Sequence, residues 1–130
     1  MLVVDASCVY EIVSSGPRSE RIRTRLERED DLAAPHLIDG EVLGIIRRDH
    51  LLGRLDLTAA TQAVRDLSAW PGERFGHRPL LNRAWQLRSN VRTWDALYVA
   101  LAEALDAPLL TLDGRLARAA GVRCSVEHLP

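Results

Sequence analysis

The sequence predicts an α/β fold, a three-layer α/β/α sandwich in which helices cover both faces of a mainly parallel central sheet. Two apolar runs, Leu2–Val4 and Leu109–Leu112, have the continuous hydrophobicity of strands buried on both faces of a parallel sheet. Helical patterns fill most of the chain between them, and strands that alternate with helices indicate an α/β architecture. No linker or low-complexity stretch interrupts the sequence, so we expect residues 1–130 to form a single domain.

The first half of the chain predicts two strands and three helices. The strand Leu2–Val4 ends at Asp5, and a second short apolar run ends at Pro35. Between and after these strands, apolar residues recur at helical spacing, and serine, glycine and proline residues mark the ends of the segments. The elements predicted after the first strand are the helices Ser7–Val13 and Ser19–Glu29, the strand Leu32–Ala34 and a helix from Leu37 through Asp49.

The second half predicts three more strands and four helices, one of them buried. Thr58 and Thr93 are candidate N-cap residues, because a threonine hydroxyl can accept a bond from the first free backbone amides of a helix. The helix after Thr93 is apolar on almost every side and should lie inside the protein. The predicted elements are helix Thr58–Leu67, strand Arg74–Gly76, helices Pro79–Ser89 and Trp94–Leu105, strand Leu109–Leu112, helix Gly114–Ala120 and strand Val122–Val126.

Composition excludes several classes of site. The 130 residues carry 17 basic and 18 acidic side chains, for a net charge of −1, and every basic residue is arginine. Without lysine, P-loop nucleotide binding, Schiff-base chemistry and serine–lysine catalysis are excluded. The two cysteines, Cys8 and Cys124, form no CxxC motif and are expected to be buried. Near-neutral charge requires any nucleic-acid site to be local.

No apolar run reaches eighteen residues, and Met1–Asp5 lacks the charged and hydrophobic regions of a signal peptide. We therefore expect a cytoplasmic protein that is not associated with a membrane.

Four acidic residues are candidates for a shared site. Asp5 and Asp113 follow predicted strands, and the carboxyl ends of parallel strands border the functional crevice of an open α/β sheet. Asp95 lies in the first turn of the apolar helix, and Glu41 lies on an otherwise apolar helical face. Each acid also has a structural explanation, as a helix cap, a partner of the helix dipole or half of an ion pair. Their joint arrangement favours a functional cluster that opens onto one cleft.

A cluster of carboxylates requires a cation. Two carboxylates about 4 Å apart repel by roughly 4 kcal/mol at an effective dielectric constant near 20. Hard oxygen ligands favour Mg²⁺ or Mn²⁺, and a water on such an ion can attack a phosphodiester. Asp39 competes with Glu41 for this role, but the two lie about 200° apart on a helix, so only one can face the cleft. The sequence context favours Glu41.

Other residues are weaker candidates. Arg115 and Arg47 are candidate substrate contacts, with Arg48 beside Arg47, although exposed arginines on helices usually pair with neighbouring side chains. Trp94 is a candidate base-stacking residue, although an aromatic side chain in such a position is more often buried. The four histidines have no metal-binding spacing and receive no role.

The acids lie within four stretches, Val3–Ser7, Glu41–Leu43, Trp94–Ala102 and Thr111–Ala117. Together these stretches resemble the acidic motifs of PIN-domain nucleases, and most closely those of VapC-like toxins. The resemblance covers essentially the whole chain in length, motif order and spacing, and the last two stretches are the most specific.

The resemblance implies a PIN-like fold and a Mg²⁺-dependent endoribonuclease, with Mn²⁺ as an alternative ion, that is the toxin of a type II toxin–antitoxin pair. It also implies an RNA substrate, a cognate VapB-like antitoxin, and a homodimer or a toxin–antitoxin hetero-oligomer. Candidate antitoxin-groove residues are Leu26, Ile45, Ile46 and Leu51, for each of which core packing is the alternative. The family's catalytic, metal-binding acids match Asp5, Glu41, Asp95 and Asp113, and its supporting polar groups match Ser7 and Thr111.

Two other functions fit parts of the pattern. A catalytically silent PIN-like binding module would use the acids only as helix caps. A phosphoacceptor signalling domain would also place aspartates at strand ends with magnesium, but such sites are expected to use a lysine, which this chain lacks.

Overall fold

The computed structural model describes residues 1–130, and its centre is a five-stranded sheet in which every strand pair is parallel. The strand order is β3-β2-β1-β4-β5. Val3 of the central strand pairs with Ala33 on one side and with Leu109 on the other. The strands are β1 (Leu2–Val4), β2 (Leu32–Pro35), β3 (Glu73–Phe75), β4 (Leu109–Thr111) and β5 (Val126–His128).

Two groups of helices pack against this sheet. The first four helices pack together and contact the sheet through α1 and α3, while α5 packs on α6, which lies against β1, β2 and β4. This is the predicted α/β/α sandwich, because right-handed crossovers in opposite directions along the sheet place their helices on opposite faces. The helices are α1 (Ala6–Val13), α2 (Ser19–Leu26), α3 (Leu37–Leu51), α4 (Leu57–Ala69), α5 (Leu81–Gln86), α6 (Thr93–Ala104) and α7 (Gly114–Ala117), with a 3₁₀ turn at Arg78–Leu80.

The core consists of 33 buried apolar residues that form one cluster. Strands β1 and β4 are buried along their whole length, as their continuous hydrophobicity predicts. Helix α6 is buried from Ala96 through Ala102, which confirms the prediction that this apolar helix lies inside the protein. Cys8 is fully buried, whereas Cys124 is only partly buried. None of the helices has the length and hydrophobicity required to cross a membrane.

Several element boundaries differ from the predictions. Asp56 rather than Thr58 caps α4, since its carboxylate accepts from the Ala59 amide at 2.8 Å. Thr93 is already helical, and no side chain caps α6. The last strand begins at Val126 because a turn through Gly121, whose φ is +85°, precedes it. Helices α2 and α7 end three residues earlier than predicted, and the predicted Pro79–Ser89 helix is a 3₁₀ turn followed by α5.

The strand order indicates where in the sheet a functional site is expected. The chain runs outward from β1 to β2 and β3, then returns to β4 on the other side of β1. The order therefore reverses between β1 and β4, and ligands of open α/β sheets bind beyond the carboxyl ends of the strands at such a point. Asp5 directly follows β1, and Asp113 follows β4 after one residue.

Candidate active site

Asp5 lies at the carboxyl end of β1, where three groups donate hydrogen bonds to its carboxylate. The Ser7 hydroxyl donates to Oδ1 at 2.5 Å, and the Cys8 amide donates to the same oxygen at 3.3 Å as the N-cap bond of α1. The Thr111 hydroxyl donates to Oδ2 at 2.5 Å. Asp5 is only 7% exposed. Burial raises its pKa, and the three hydrogen bonds oppose that shift.

Ser7 and Thr111 also connect β1 to the segment after β4. The Asp113 amide donates to the Thr111 hydroxyl oxygen at 2.9 Å, and the Leu112 amide donates to the Ser7 hydroxyl oxygen at 3.2 Å. Each hydroxyl therefore donates to Asp5 and accepts from a backbone amide in the segment just after β4. The structure thus brings both predicted supporting groups to Asp5.

Asp95 lies in the first turn of α6, half-buried, with no hydrogen bond or ion pair to its carboxylate. Burial raises its pKa, and the negative charges of Asp5 and Asp113 raise it further. The positive charges of Arg92 and Arg115 act in the opposite direction. Asp95 is thus a carboxylate near other carboxylates, without a cation in contact.

Glu41 extends from α3, and its Oε1 atom is buried without a hydrogen-bond partner. The hydroxyl of Tyr98 on α6 is also buried and unpartnered. Burial raises the pKa of Glu41, the neighbouring Tyr98 hydroxyl opposes this shift, and the charges of Asp95 and Asp5 add to it. An unsatisfied buried carboxylate oxygen is costly and is one of the features that a bound cation would relieve.

Asp113 differs from the other three acids because it already has a cationic partner. The Arg115 side chain lies 3.2 Å from its carboxylate, and the Arg115 amide donates to the same group at 2.9 Å as the N-cap bond of α7. These bonds from Arg115 lower the pKa of Asp113. Arg115, predicted as a substrate contact, is exposed but engaged in this pair.

The four acids are close enough for their charges to interact, but they line separate cavities. Asp95 and Asp113 line a cavity of about 160 Å³ together with Arg92 and Arg115. Glu41 lines a different cavity, of about 470 Å³. Asp5 lines neither cavity, because its hydrogen bonds to Ser7, Thr111 and the start of α1 hold the carboxylate below the surface.

The helical register of α3 separates Glu41 from two rival residues. Asp39 pairs with Arg74 at 2.9 Å, on the other side of the helix. Arg48 lies seven residues after Glu41, within about 20° of it, and lines the same cavity. Arg47 is rotated about 120° from Glu41, is exposed, and lines neither cavity at the acids. The structure therefore brings Arg48, and not Arg47, to the site.

The residues present suit a divalent cation in charge and donor chemistry. Asp5, Glu41 and Asp95 have oxygen donors, raised pKa values and no ion pair, and one oxygen of Glu41 lacks any partner. Oxygen donors of this kind prefer hard cations such as Mg²⁺. No three acidic, histidine or cysteine side chains lie close enough together to form a finished cation cage.

Three features escaped sequence reasoning. Arg92 lines the cavity of Asp95 and Asp113, and its side chain has no hydrogen bond or ion pair. Its position at the N-cap, three residues before Asp95, is the only local signal, since it lies next to the first turn of α6 that carries Asp95. Tyr98 lies within an apolar helix, a pattern that predicts a core residue and gives no sign of a contact with Glu41. Trp94, for which burial was the commoner expectation, is 56% exposed.

Comparison with known proteins identifies the family of the chain. A family model described as PIN domain matches residues 2–122. Ribonuclease VapC1 of Mycobacterium tuberculosis is 42% identical over 126 residues, which cover 96% of this chain and 95% of the relative.

Solved structures share the fold at lower identity. VapBC2 from Rickettsia felis, bound to a DNA fragment from its promoter, superimposes with a TM-score of 0.72 at 14% identity, covering 98% of this chain and 97% of that one. A toxin–antitoxin complex from Klebsiella pneumoniae gives a TM-score of 0.71 at 18% identity, with coverage of 98% and 96%. The family match over most of the chain and the identity to VapC1 show that this protein belongs to the PIN-domain family, among the VapC ribonucleases.

Proposed function

We propose that this protein is a metal-dependent endoribonuclease toxin that hydrolyses RNA phosphodiester bonds and is neutralised by a cognate antitoxin. The observation that carries this proposal is a set of three carboxylates, Asp5, Glu41 and Asp95, whose charges interact without a cation in contact, with Asp5 at the reversal point of the PIN-domain sheet. The 42% identity to a protein named as a ribonuclease supports the same activity.

Asp5, Glu41 and Asp95 are the proposed ligands of a divalent ion, with Asp113 as a fourth acid. Mg²⁺ is the proposed ion, and Mn²⁺ is the expected substitute, because both prefer oxygen donors. When bound, such an ion lowers the pKa of a coordinated water and offsets the charge of a phosphate. Asp113 requires less charge compensation than the other three, because Arg115 already neutralises it.

The remaining residues position the acids and the substrate. Ser7 and Thr111 hold both oxygens of Asp5 in one orientation. Arg92 has a free guanidinium group on the wall of the Asp95 cavity, where it can bind a phosphate oxygen of RNA. Arg115 can do the same if RNA competes with Asp113 for its guanidinium, since an exposed ion pair is weak.

The antitoxin is proposed to occupy an apolar groove on the toxin, and the predicted groove residues divide between surface and core. Ile46 is 2% exposed and belongs to the core, whereas Leu51 is 64% exposed. Leu26 and Ile45 are partly buried and line surface cavities.

A homodimer is proposed for the isolated toxin, and sedimentation that shows only monomers at micromolar concentration would contradict it. Because its substrate is cellular RNA, we propose a cytoplasmic location.

Calorimetric titration with Mg²⁺ and with Mn²⁺, paired with an RNA cleavage assay, tests the function. The unmodified chain should bind metal and cleave RNA, and Asp95→Asn should lose both. Metal binding without cleavage of any RNA would favour a catalytically silent binding module. Unchanged cleavage by a variant that lacks both Asp5 and Asp95 carboxylates would show that the assigned site is wrong.

A further inference from the structure

The cavity next to Glu41 is distinct from the one between Asp95 and Asp113, and no proposed catalytic step uses it, although Ile45, a predicted antitoxin-groove residue, is part of its lining. It measures about 470 Å³ and lies between α3 and the start of α6. Its lining residues are Gly40, Glu41, Gly44, Ile45, Arg48 and Trp94. Glu41 belongs to the acid set, so the cavity lies beside the proposed active site.

Trp94 forms one wall of this cavity and is unusual among the tryptophans of the chain. Trp70 is 7% exposed and belongs to the core. Trp85 is 67% exposed, but the Arg88 guanidinium lies over its ring at 4.5 Å. Trp94 is 56% exposed and has no guanidinium over its ring. A large aromatic surface therefore faces solvent next to the catalytic acids.

Another part of the lining is a segment of α3 that lacks side chains. Gly40 and Gly44 lie one turn apart inside this helix, where alanine would be more stable than glycine. A Cβ atom added to either glycine would meet no other atom within 4 Å. The space above these glycines is thus not filled by any part of the chain, and no packing within the chain requires glycine there.

We propose that this cavity is a subsite for one unpaired RNA base next to the scissile phosphate, with the base stacked on Trp94. The proposal rests on the proposed ribonuclease function and names a contact that selects single-stranded substrate. Bases stack on exposed aromatic side chains whatever their sequence, because every base has a π face. The glycines of α3 leave room for the second face of the base.

The polarity of the lining favours a nucleotide over an apolar peptide as the occupant. The lining includes the charged residues Glu41 and Arg48 and only two sizeable apolar side chains, Ile45 and Trp94. Arg48 is 60% exposed and pairs with Asp49 at 3.3 Å, an exposed contact that a phosphate can replace. Arg48 would then hold the phosphate that follows the stacked base.

Binding of a fluorescein-labelled oligouridylate, measured by anisotropy, tests the subsite. The full chain carries Asp95→Asn and is kept in EDTA, so that cleavage does not remove the probe. Trp94→Leu should weaken binding by about tenfold or more, and Trp94→Phe should retain most of it, because phenylalanine can still stack. Trp85→Leu is the matched control, since it removes a similarly exposed tryptophan that lines neither cavity at the acids, and should leave binding unchanged.

Two further arms make the test specific to a base. An RNA of the same length with abasic nucleotides keeps every phosphate, so Trp94→Leu should no longer affect its binding. Gly44→Ala should raise the thermal unfolding midpoint of the protein and yet weaken oligouridylate binding, since the added methyl group narrows the cavity. A loss of binding caused by misfolding would instead lower the midpoint.

Equal RNA binding by Trp94→Leu and the parent protein would overturn the subsite, and so would equal losses of binding in the Trp94 and Trp85 variants. A change in the sedimentation of Trp94→Leu without a change in its RNA binding would also overturn it, and would identify this surface as an interface between copies of the chain. Cleavage by the unmodified chain is measured separately on the same RNA. RNA binding that depends on Trp94 but is not followed by cleavage would contradict the ribonuclease function and leave the subsite intact. Cleavage together with binding that does not depend on Trp94 would support the ribonuclease function and contradict the subsite.

Discussion

The Thr111 hydroxyl, fully buried at the end of β4, donates a 2.5 Å hydrogen bond to the carboxylate of Asp5 at the end of β1. The two residues are 106 positions apart in the chain and become neighbours only because β1 and β4 pair in parallel. The same hydroxyl oxygen accepts from the Asp113 amide. One side chain thus sets the positions of two of the four acids.

Thr111→Val should therefore weaken both folding and catalysis. It removes the donor to Asp5 while nearly preserving side-chain shape, so we expect a loss of about 1–3 kcal/mol in the free energy of unfolding. Metal affinity and cleavage should fall about 10- to 100-fold, as for other groups that orient a metal ligand. Denaturant titration and RNA cleavage measure the two effects. Thr111→Ser keeps the hydroxyl and should retain cleavage; equal losses in both variants would rule out the hydrogen bond as the cause.

Glu41→Gln and Asp39→Asn form a matched pair on one helix. Glu41→Gln should reduce cleavage on the order of a hundredfold and leave the free energy of unfolding unchanged or higher, because it removes a buried charge. Asp39→Asn should retain cleavage and lose less than about 1 kcal/mol of stability, since its pair with Arg74 is half exposed. Cleavage rates and denaturation curves of the two proteins decide between these residues. A greater loss of activity in the Asp39 variant would reverse the assignment.

Stability of the metal-free protein should increase as pH falls from neutrality into the weakly acidic range. Burial raises the pKa of Asp5, Glu41 and Asp95, so the folded state binds protons that the unfolded chain releases at the same pH. The free energy of unfolding then rises until the ordinary carboxyl pKa is reached. Further acidification removes the contributions of carboxylates with lowered pKa values, such as Asp49 and Asp113. Thermal melts across pH, with Asp95→Asn showing a smaller slope, measure this effect.

The affinity for Mg²⁺ should decrease as pH falls, opposite to the stability of the metal-free protein, because metal binding requires ionised ligands and releases their protons. For each proton displaced, we expect the affinity to fall by up to about tenfold for every pH unit of acidification. Calorimetry in two buffers that differ in ionisation enthalpy counts the released protons. Mg²⁺ affinity that does not vary between neutral and weakly acidic pH would be inconsistent with these carboxylates as ligands.

Arg92→Gln should slow cleavage about tenfold or more, because a charge-assisted bond from its free guanidinium to RNA phosphate would be lost. Arg47→Gln is the control, since Arg47 is exposed and lines neither cavity at the acids. Its cleavage rate should match that of the unmodified protein. Initial rates on one RNA at several salt concentrations separate the two arginines. Sensitivity at Arg47 alone would place the RNA path on the other face of α3.

Local patterns predicted much of the fold because they depend on near neighbours in the chain. The apolar runs at Leu2–Val4 and Leu109–Leu112 were correctly predicted as buried parallel strands, and the apolar helix that carries Asp95 was correctly predicted to be buried. Helix caps were less predictable. Asp56 competes with Thr58 within two residues, and the choice depends on the backbone conformation at the start of α4.

The order of strands, helices and acids along the chain follows from the amino-acid sequence alone. So does the absence of lysine, because of which only arginine or a bound cation can balance the carboxylates. Three relationships depend on how the elements pack: Asp5 is buried beneath Ser7 and Thr111, Arg92 lines the same cavity as Asp95, and Trp94 is exposed beside two glycines of α3. Periodicity reports which face of an element is apolar. It does not report which distant element packs there, because that contact depends on strand order and on the rotation of each helix against the sheet.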